Sequence, residues 1–151
     1  MRYKVSVQTA NFDVSRCLKW LRKDLGNVGA VVSFVGTVRE FNDGQKISAI
    51  YLEHYSGMTE KALEKIVTRA GMQFDLLGAF VIHRVGALKP QDQIVLVACA
   101  SSHRGQAFLA CEFITDCLKT EAPLWKKEIT EHGAQWVQAR PSDNHAKARW
   151  E

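Results

Sequence analysis

The chain has 151 residues, of which 46% are hydrophobic and 24% charged, and its formal net charge is +4. This length and balance predict a single domain over residues 1–151. The small basic excess suits an acidic substrate or protein partner but gives too little charge to indicate nucleic acid binding by itself. The apolar runs are too short to span a bilayer and the N-terminus lacks a signal-peptide pattern, so we expect a cytoplasmic protein without membrane contact.

The first half of the chain contains both helical and strand patterns. Its predicted elements are a helix from Val14 to near Gly26, a strand at 30–36, a polar loop at 39–46, a strand at 47–55 and a helix at 59–71. Asp13 is suited to cap the first helix, and Asp43-Gly44 is a turn signal within the polar loop. We expect the two strands to pair antiparallel with each other.

The second half adds two more strands and a long helix. Its predicted elements are strands at 79–85 and 93–100, joined by a turn at Lys89-Pro90, a helix at 103–121 and a short strand at 134–139. Residues 140–151 are polar, and we expect this tail to be mobile when the protein is alone. Because strands and helices alternate only loosely, the fold class is predicted as α+β.

The segment from 101 to 127, SSHRGQAFLACEFITDCLKTEAPLWKK, carries most of the cationic chemistry. His103 and Arg104 stand at the predicted start of the long helix, where free backbone N–H groups and the helix dipole favour anions. This pattern predicts an anion site. In the alternative interpretation, Ser101 or Ser102 caps the helix and both cations are solvated.

Two lysines, Lys119 and Lys126, flank Pro123 at the other end of this helix. Burial and mutual repulsion would lower the pKa of a lysine and make it a better nucleophile or proton shuttle. Trp125 could form a pocket wall against a flat substrate. The alternative is that both lysines are surface charges at a helix C-terminus, where cations are favoured.

Spacing separates the two groups of cations. His103 and Lys119 are 16 residues apart, which corresponds to about 24 Å along a helix. They cannot line one small pocket within a single chain, so there are either two sites or two copies of the chain that share a pocket. Arg39 ends a predicted strand, where a guanidinium suits phosphate recognition, although a solvated loop arginine is equally compatible with the pattern.

Other residue types give little indication of chemistry. Cys17, Cys99, Cys111 and Cys117 have no zinc or redox spacing, so we expect them to be reduced and mostly buried. The pairs Glu53-His54 and His83-Arg84 lie on strands, where neighbouring side chains face opposite ways, and we do not interpret them as acid–base pairs. We expect neither a metal ion nor another cofactor.

Several segments occur together in a characteristic order. They are VVSFVGTVRE, LEHYSGMTEKAL, VIHRVGALKPQDQIVLVACASSHRGQAF, CLKTEAPLWKKE and the closing ARW. With them, from about residue 29 to the C-terminus, the chain resembles the large catalytic subunits of molybdopterin synthase. The resemblance implies an α/β-hammerhead core with an additional small antiparallel β subdomain.

The resemblance also implies a function and partners. In this family a small ubiquitin-like carrier holds sulfur as a thiocarboxylate at its C-terminal Gly-Gly tail. The large subunit transfers that sulfur in two rounds to cyclic pyranopterin monophosphate and so forms the dithiolene of molybdopterin. Two large subunits form a central homodimer with a carrier at each end, a heterotetramer.

Roles for individual residues follow from the same resemblance. Lys119 and Lys126 match the catalytic lysines. The residues matching the substrate pocket are Arg39, Phe34 and, from the opposite subunit, His103, Arg104 and Arg140. Since the carrier supplies the sulfur, no cysteine of this chain needs to react.

Two other classes remain as alternatives. A non-catalytic scaffold could bind a ubiquitin-like partner, but it would have no use for converging cations. A small RNA-binding α+β domain would need a basic stripe and exposed aromatic residues on a sheet, whereas the four tryptophans are scattered and the charge excess is small.

Overall fold

Helices and strands are interspersed along the chain in the computed structural model, which describes residues 1–137 and 141–151. The elements are β1 (Arg2–Gln8), α1 (Val14–Arg22), β2 (Ala30–Thr37), β3 (Phe41–Asn42), β4 (Gln45–His54), α2 (Met58–Gln73), β5 (Gly78–Arg84), β6 (Gly86–Leu88), β7 (Gln93–Ser101), α3 (Arg104–Glu121), β8 (Leu124–Thr130), β9 (Gly133–Val137) and α4 (Pro141–Ala148). The predicted α+β class is confirmed.

The main sheet has four strands in the order β1-β5-β7-β2. β1 is parallel to β5, and the other two pairs are antiparallel. Alternate residues of β5 enter two cores: Ala79 and Val81 pack with α2 and α3, while Phe80 and Ile82 pack with α1. Because helices cover both faces, the central strands are mostly apolar, as their continuous hydrophobic runs predict.

The first helix begins as predicted and ends earlier than predicted. The Asp13 carboxylate accepts a hydrogen bond from the Arg16 amide and caps α1. The helix stops at Arg22 instead of continuing to Gly26, since Lys23 is extended and Asp24 has a φ of 59°. The Arg2 guanidinium donates to the carbonyl oxygens of Trp20 and Lys23 at 2.8 and 2.6 Å and so satisfies this helix end.

A second, antiparallel sheet carries the order β3-β4-β8-β9, with β6 also paired to β4. The predicted turn at Asp43-Gly44 joins β3 to β4, with φ of 51° and 79°, as a two-residue hairpin turn requires. The predicted pairing of the strand at 47–55 with the strand at 30–36 is wrong. β2 pairs with β7, whereas β4 buries Ile47, Ile50 and Leu52 in a separate small core beside β6.

Helix α3 connects the two sheets. It follows β7 and packs back across β7 and β2, with one side buried from Ala107 to Leu118. This reversal places Lys119 in its last turn. Pro123 then leads into β8, and its carbonyl oxygen accepts a hydrogen bond from the Thr59 hydroxyl at 2.9 Å. As a result, the start of α2 holds the connection between Lys119 and β8.

The C-terminal segment contacts α3. The Trp150 indole donates to the Asp116 carboxylate at 2.7 Å, and its ring packs edge-on against Phe74 and Phe113. Arg149 also contacts the Asp116 carboxylate at 3.0 Å. The mobility of residues 140–151 in solution stays a prediction. Among the described residues, no helix has the length and hydropathy needed to cross a membrane.

Candidate functional site

Three of the predicted site residues meet at one pocket of about 320 Å³. Lys119 comes from the end of α3, Lys126 from β8, and Arg39 from the segment that follows β2. Pro123 and the start of β8 reverse the chain, so two lysines that are seven positions apart in sequence line the same space. This space, the lysine pocket, thus concentrates positive charge, as an anionic substrate requires.

The walls of this pocket are mixed. The apolar lining residues are Val38, Ile47, Ile50, Ile94, Leu124 and Val137, and the polar ones besides the three cations are Thr37, Asn42, Glu128 and Asp143. Apolar walls strengthen electrostatic interactions with a bound anion because they exclude water.

A chain of polar contacts holds two of the cations in place. Arg39 donates to the Asn42 side-chain oxygen at 2.9 Å, and the Asn42 amide donates to the Glu128 carboxylate at 2.8 Å. The same carboxylate lies 3.7 Å from the Lys126 ammonium group. Glu128 is only 4% exposed, so this buried carboxylate fixes the geometry of Arg39 and Lys126 together.

Replacing Glu128 with alanine is expected to lower the free energy of unfolding by about 1–3 kcal/mol, because the buried carboxylate that accepts from the Asn42 amide and lies beside the Lys126 ammonium group is removed. Urea denaturation measures this change. The matched control is Glu131→Ala, since the Glu131 side chain is 77% exposed, and its effect should stay within about 0.5 kcal/mol. Equal losses in the two variants would show that the buried network contributes nothing.

His103 and Arg104 lie at the opposite end of α3 and do not line this pocket. His103 is the N-cap residue, and no side chain caps the helix. The alternative in which Ser101 or Ser102 caps the helix is wrong, because His103 is the N-cap residue and the Ser101 hydroxyl donates to the Asp75 carbonyl oxygen. Both cations are exposed beside uncapped N–H groups, so this helix end keeps its capacity for an anion.

Phe34 does not line this pocket within its own chain. It lies in the middle of β2 and faces the middle of α3, away from the strand end that leads to Arg39. It lines a second groove of about 400 Å³ together with Phe108, Cys111 and Thr115. Trp125 does not line the lysine pocket either, because it alternates with Lys126 along β8 and packs against Tyr55. Arg140 lies outside the described residues.

Comparison with known proteins identifies the family. A family model described as MoaE protein matches residues 7–121. A molybdopterin synthase catalytic subunit of Ralstonia nicotianae is 59% identical over 146 residues, which is 97% of this chain and 83% of the relative. The chain belongs to the MoaE family.

Solved MoaE structures have the same fold. The Burkholderia ambifaria MoaE protein is 50% identical with a TM-score of 0.85 and covers 99% of this chain and 98% of its own. A Helicobacter pylori complex of subunits 1 and 2 of molybdopterin-converting factor contains a chain that is 21% identical with a TM-score of 0.71, covering 91% of both chains. At that identity the likeness concerns the fold alone. Family membership places this chain among the molybdopterin synthase catalytic subunits, enzymes of molybdenum cofactor biosynthesis.

Sequence reasoning missed four polar members of the MoaE pocket, Thr37, Asn42, Glu128 and Asp143. Glu128 could have been found, because it lies two positions after Lys126 and therefore on the same face of a strand. Asn42 and Asp143 gave no such signal, because they come from distant segments.

The expectation for cysteine is confirmed: the four are free and buried. Within residues 1–137 and 141–151, no cluster of three potential ligands could hold a metal ion.

His83 is a further buried titratable group of this MoaE chain. Its pKa is lowered from 6.5 to about 4, mainly by burial. A hydrogen bond to the Arg84 carbonyl oxygen opposes this change, and electrostatic interactions with Lys119 and His54 add to it. The folded protein therefore keeps His83 neutral at pH values where an unfolded chain would protonate it.

This difference predicts a specific pH dependence of stability. Below the unfolded pKa of 6.5 only the unfolded state binds the proton, so stability should fall by about 3 kcal/mol as the pH drops from 6.5 to about 4. Urea denaturation at several pH values measures the slope. In a His83→Gln protein this contribution should disappear, and an identical slope in both proteins would contradict the assignment.

Proposed function

We propose that this MoaE-family chain is a cytoplasmic sulfurtransferase. It transfers sulfur from the C-terminal thiocarboxylate of a small ubiquitin-like carrier to cyclic pyranopterin monophosphate and so forms the dithiolene of molybdopterin. The observation that carries this proposal is the convergence of Lys119, Lys126 and Arg39 on one pocket. Both substrates are anions, and guanidinium and ammonium groups are suited to bind phosphate and thiocarboxylate.

The three cations have different roles in this proposal. Arg39 binds the phosphate of the pterin through its planar guanidinium. Lys126 lies 3.7 Å from Glu128 and is held by it, which suits a residue that positions the carrier tail. Lys119 forms no ion pair with the described residues, so its ammonium group is available to orient and activate the acyl-sulfur group. It is the main catalytic cation.

A homodimer completes the site. The partner's His103 and the partner's Arg104 would add an uncapped helix N-terminus to the pocket that holds Lys119. The distance between the two ends of α3 excludes the same arrangement within one chain. In this proposal Arg140 contributes in the same way. Phe34, which lines the groove beside Phe108, forms part of the pocket wall that the two protomers build together.

One carrier docks on each large subunit, which makes the assembly a heterotetramer. The Helicobacter pylori complex of the two subunits of molybdopterin-converting factor is consistent with this arrangement. We also propose that residues 1–151 form one domain and that the segment 140–151 is mobile in the absence of the carrier.

The test is single-turnover conversion of cyclic pyranopterin monophosphate by this protein and a thiocarboxylated carrier, followed by mass spectrometry of the pterin. The expected product contains two added sulfur atoms. A carrier that ends in an ordinary carboxylate is the matched control and should give no product. If the thiocarboxylated carrier binds and the pterin remains unchanged, the chain is a scaffold and the proposal fails.

A further inference from the structure

His83 occupies an unusual place for a polar residue. Along β5 it follows Ala79 and Val81 on the sheet face that packs against α2 and α3. Its partners across the sheet, Val7 and Val95, belong to the same apolar core. The imidazole is thus set among aliphatic side chains and is only 6% exposed, where a polar group is costly unless it is hydrogen-bonded.

This position is close to the wall of the lysine pocket. Val95, the cross-strand partner of His83, is next to Ile94, which lines the pocket. Lys119, in the last turn of α3, lines the same pocket as Ile94. The charged and titratable groups that act on the imidazole are Lys119 from α3 and His54 from the end of β4.

The hydrogen bonds of His83 determine which nitrogen is available. Nδ1 donates to the Arg84 carbonyl oxygen at 2.8 Å, so in the neutral ring Nε2 carries the lone pair. Nε2 forms no hydrogen bond with the described residues. Every fully buried side-chain nitrogen of the described residues has a hydrogen-bond partner, so Nε2 is not fully buried. Nε2 therefore borders open space instead of being sealed by apolar atoms. The Arg84 guanidinium is held elsewhere, by the carbonyl oxygens of Thr9 and Gln93.

We propose that His83 is a positioning residue for Lys119: its neutral imidazole offers Nε2 as a hydrogen-bond acceptor to the Lys119 ammonium group, directly or through one water molecule. This inference rests on the proposed function, in which Lys119 is the catalytic cation. A lysine on a flexible four-carbon stem gains from such an acceptor because the ammonium group is held where the thiocarboxylate arrives. Burial and the positive charge of Lys119 keep the imidazole neutral, as an acceptor must be.

The first test is a matched pair of variants in the complete assembly with thiocarboxylated carrier. Asparagine can replace Nδ1 as a donor to the Arg84 carbonyl oxygen but places nothing at Nε2, whereas glutamine reaches the Nε2 position with an amide oxygen. His83→Asn should lower kcat about tenfold or more with little change in the KM for the pterin, and His83→Gln should recover most of the rate. In a Lys119→Ala background, His83→Asn should cause no further loss. Equal losses in both variants, or a further loss in that background, would mean a merely structural role.

The second test needs no variant of His83 and no turnover. The imidazole pKa is followed by NMR in the wild-type protein and in the Lys119→Ala protein, and it should rise from about 4 when the lysine charge is removed. An unchanged pKa would show that His83 and Lys119 do not interact and would overturn the inference. Wild-type activity in Lys119→Ala would instead refute the proposed role of Lys119. A slow Lys119→Ala protein beside a fully active His83→Asn protein would refute the inference alone.

Discussion

Replacing Lys119 with alanine is expected to lower single-turnover formation of the dithiolene by roughly 10²–10³-fold, the effect typical of removing one preorganised electrostatic contact to a reacting group. Lys119 lines the pocket from the last turn of α3, and its side chain is exposed in the single chain. Its removal should therefore change the free energy of unfolding by no more than about 0.5 kcal/mol. Quench-flow turnover and urea denaturation measure the two quantities separately.

The matched control for this prediction is Lys127→Ala. Lys127 alternates with Lys126 on β8 and lies over the Trp136 ring at 4.7 Å, on the face of the sheet opposite the pocket. Lys127→Ala removes one positive charge, as Lys119→Ala does, but leaves the residues that line the lysine pocket unchanged. Near-normal turnover in Lys127→Ala and a large loss in Lys119→Ala would assign the effect to position and not to net charge. A Lys119→Ala protein with wild-type turnover would contradict the assignment.

Mixing two inactive proteins is expected to restore activity if the site is shared between protomers. A Lys119→Ala protein retains Arg104, and an Arg104→Ala protein retains Lys119. After exchange of subunits, half of the dimers are mixed, and each mixed dimer has one of its two sites intact. About one quarter of wild-type activity should therefore return. Single-turnover assays after co-refolding or co-expression measure this recovery.

The chain offers a control for this experiment in Lys126→Ala. Lys119 and Lys126 line the same pocket of one protomer, so a mixture of Lys119→Ala and Lys126→Ala proteins contains no intact site and should stay inactive. If the Lys119→Ala and Arg104→Ala mixture also stays inactive while mixed dimers are present, the shared site is wrong. Recovery in both mixtures would place the two lysines in different sites.

Helices and buried strands could be predicted well because their signals are local. The period of apolar residues and the capping Asp13 located α1, and the continuous apolar run from Ile94 to Ala100 predicted β7. The end of α1 was missed because it depends on Arg2, a residue 18 and 21 positions away from the carbonyl groups it satisfies.

Strand pairing could not be predicted because it is decided by contacts distant in sequence. The pattern of 47–55 indicates a strand equally well in either sheet, and its partner residues in β8 are at least 70 positions away. A pairing of β4 with β2 was the simplest local expectation. The structure instead buries Ile47 and Ile50 in a second core.

The candidate site could also be predicted only where its signals are local in sequence. Residue types and positions at element ends make Lys119, Lys126 and Arg39 candidates, and the family resemblance favours them over solvated surface cations. The structure brings the three together. Glu128 gains its importance only through Asn42, which lies 86 residues away in sequence. The location of Phe34 likewise depends on where α3 crosses β2, which no local pattern specifies.

The most direct measurement follows the sulfur atom itself. The carrier thiocarboxylate is labelled with ³⁴S, while the large subunit keeps sulfur of natural abundance. The mass of the pterin product of a single-turnover reaction is then measured by mass spectrometry. The proposed transfer predicts two ³⁴S atoms in each molecule of product, because the four cysteines of this chain are buried and take no part. Product that contains sulfur of natural abundance would show that the large subunit donates it, and would contradict direct transfer in the pocket of Lys119.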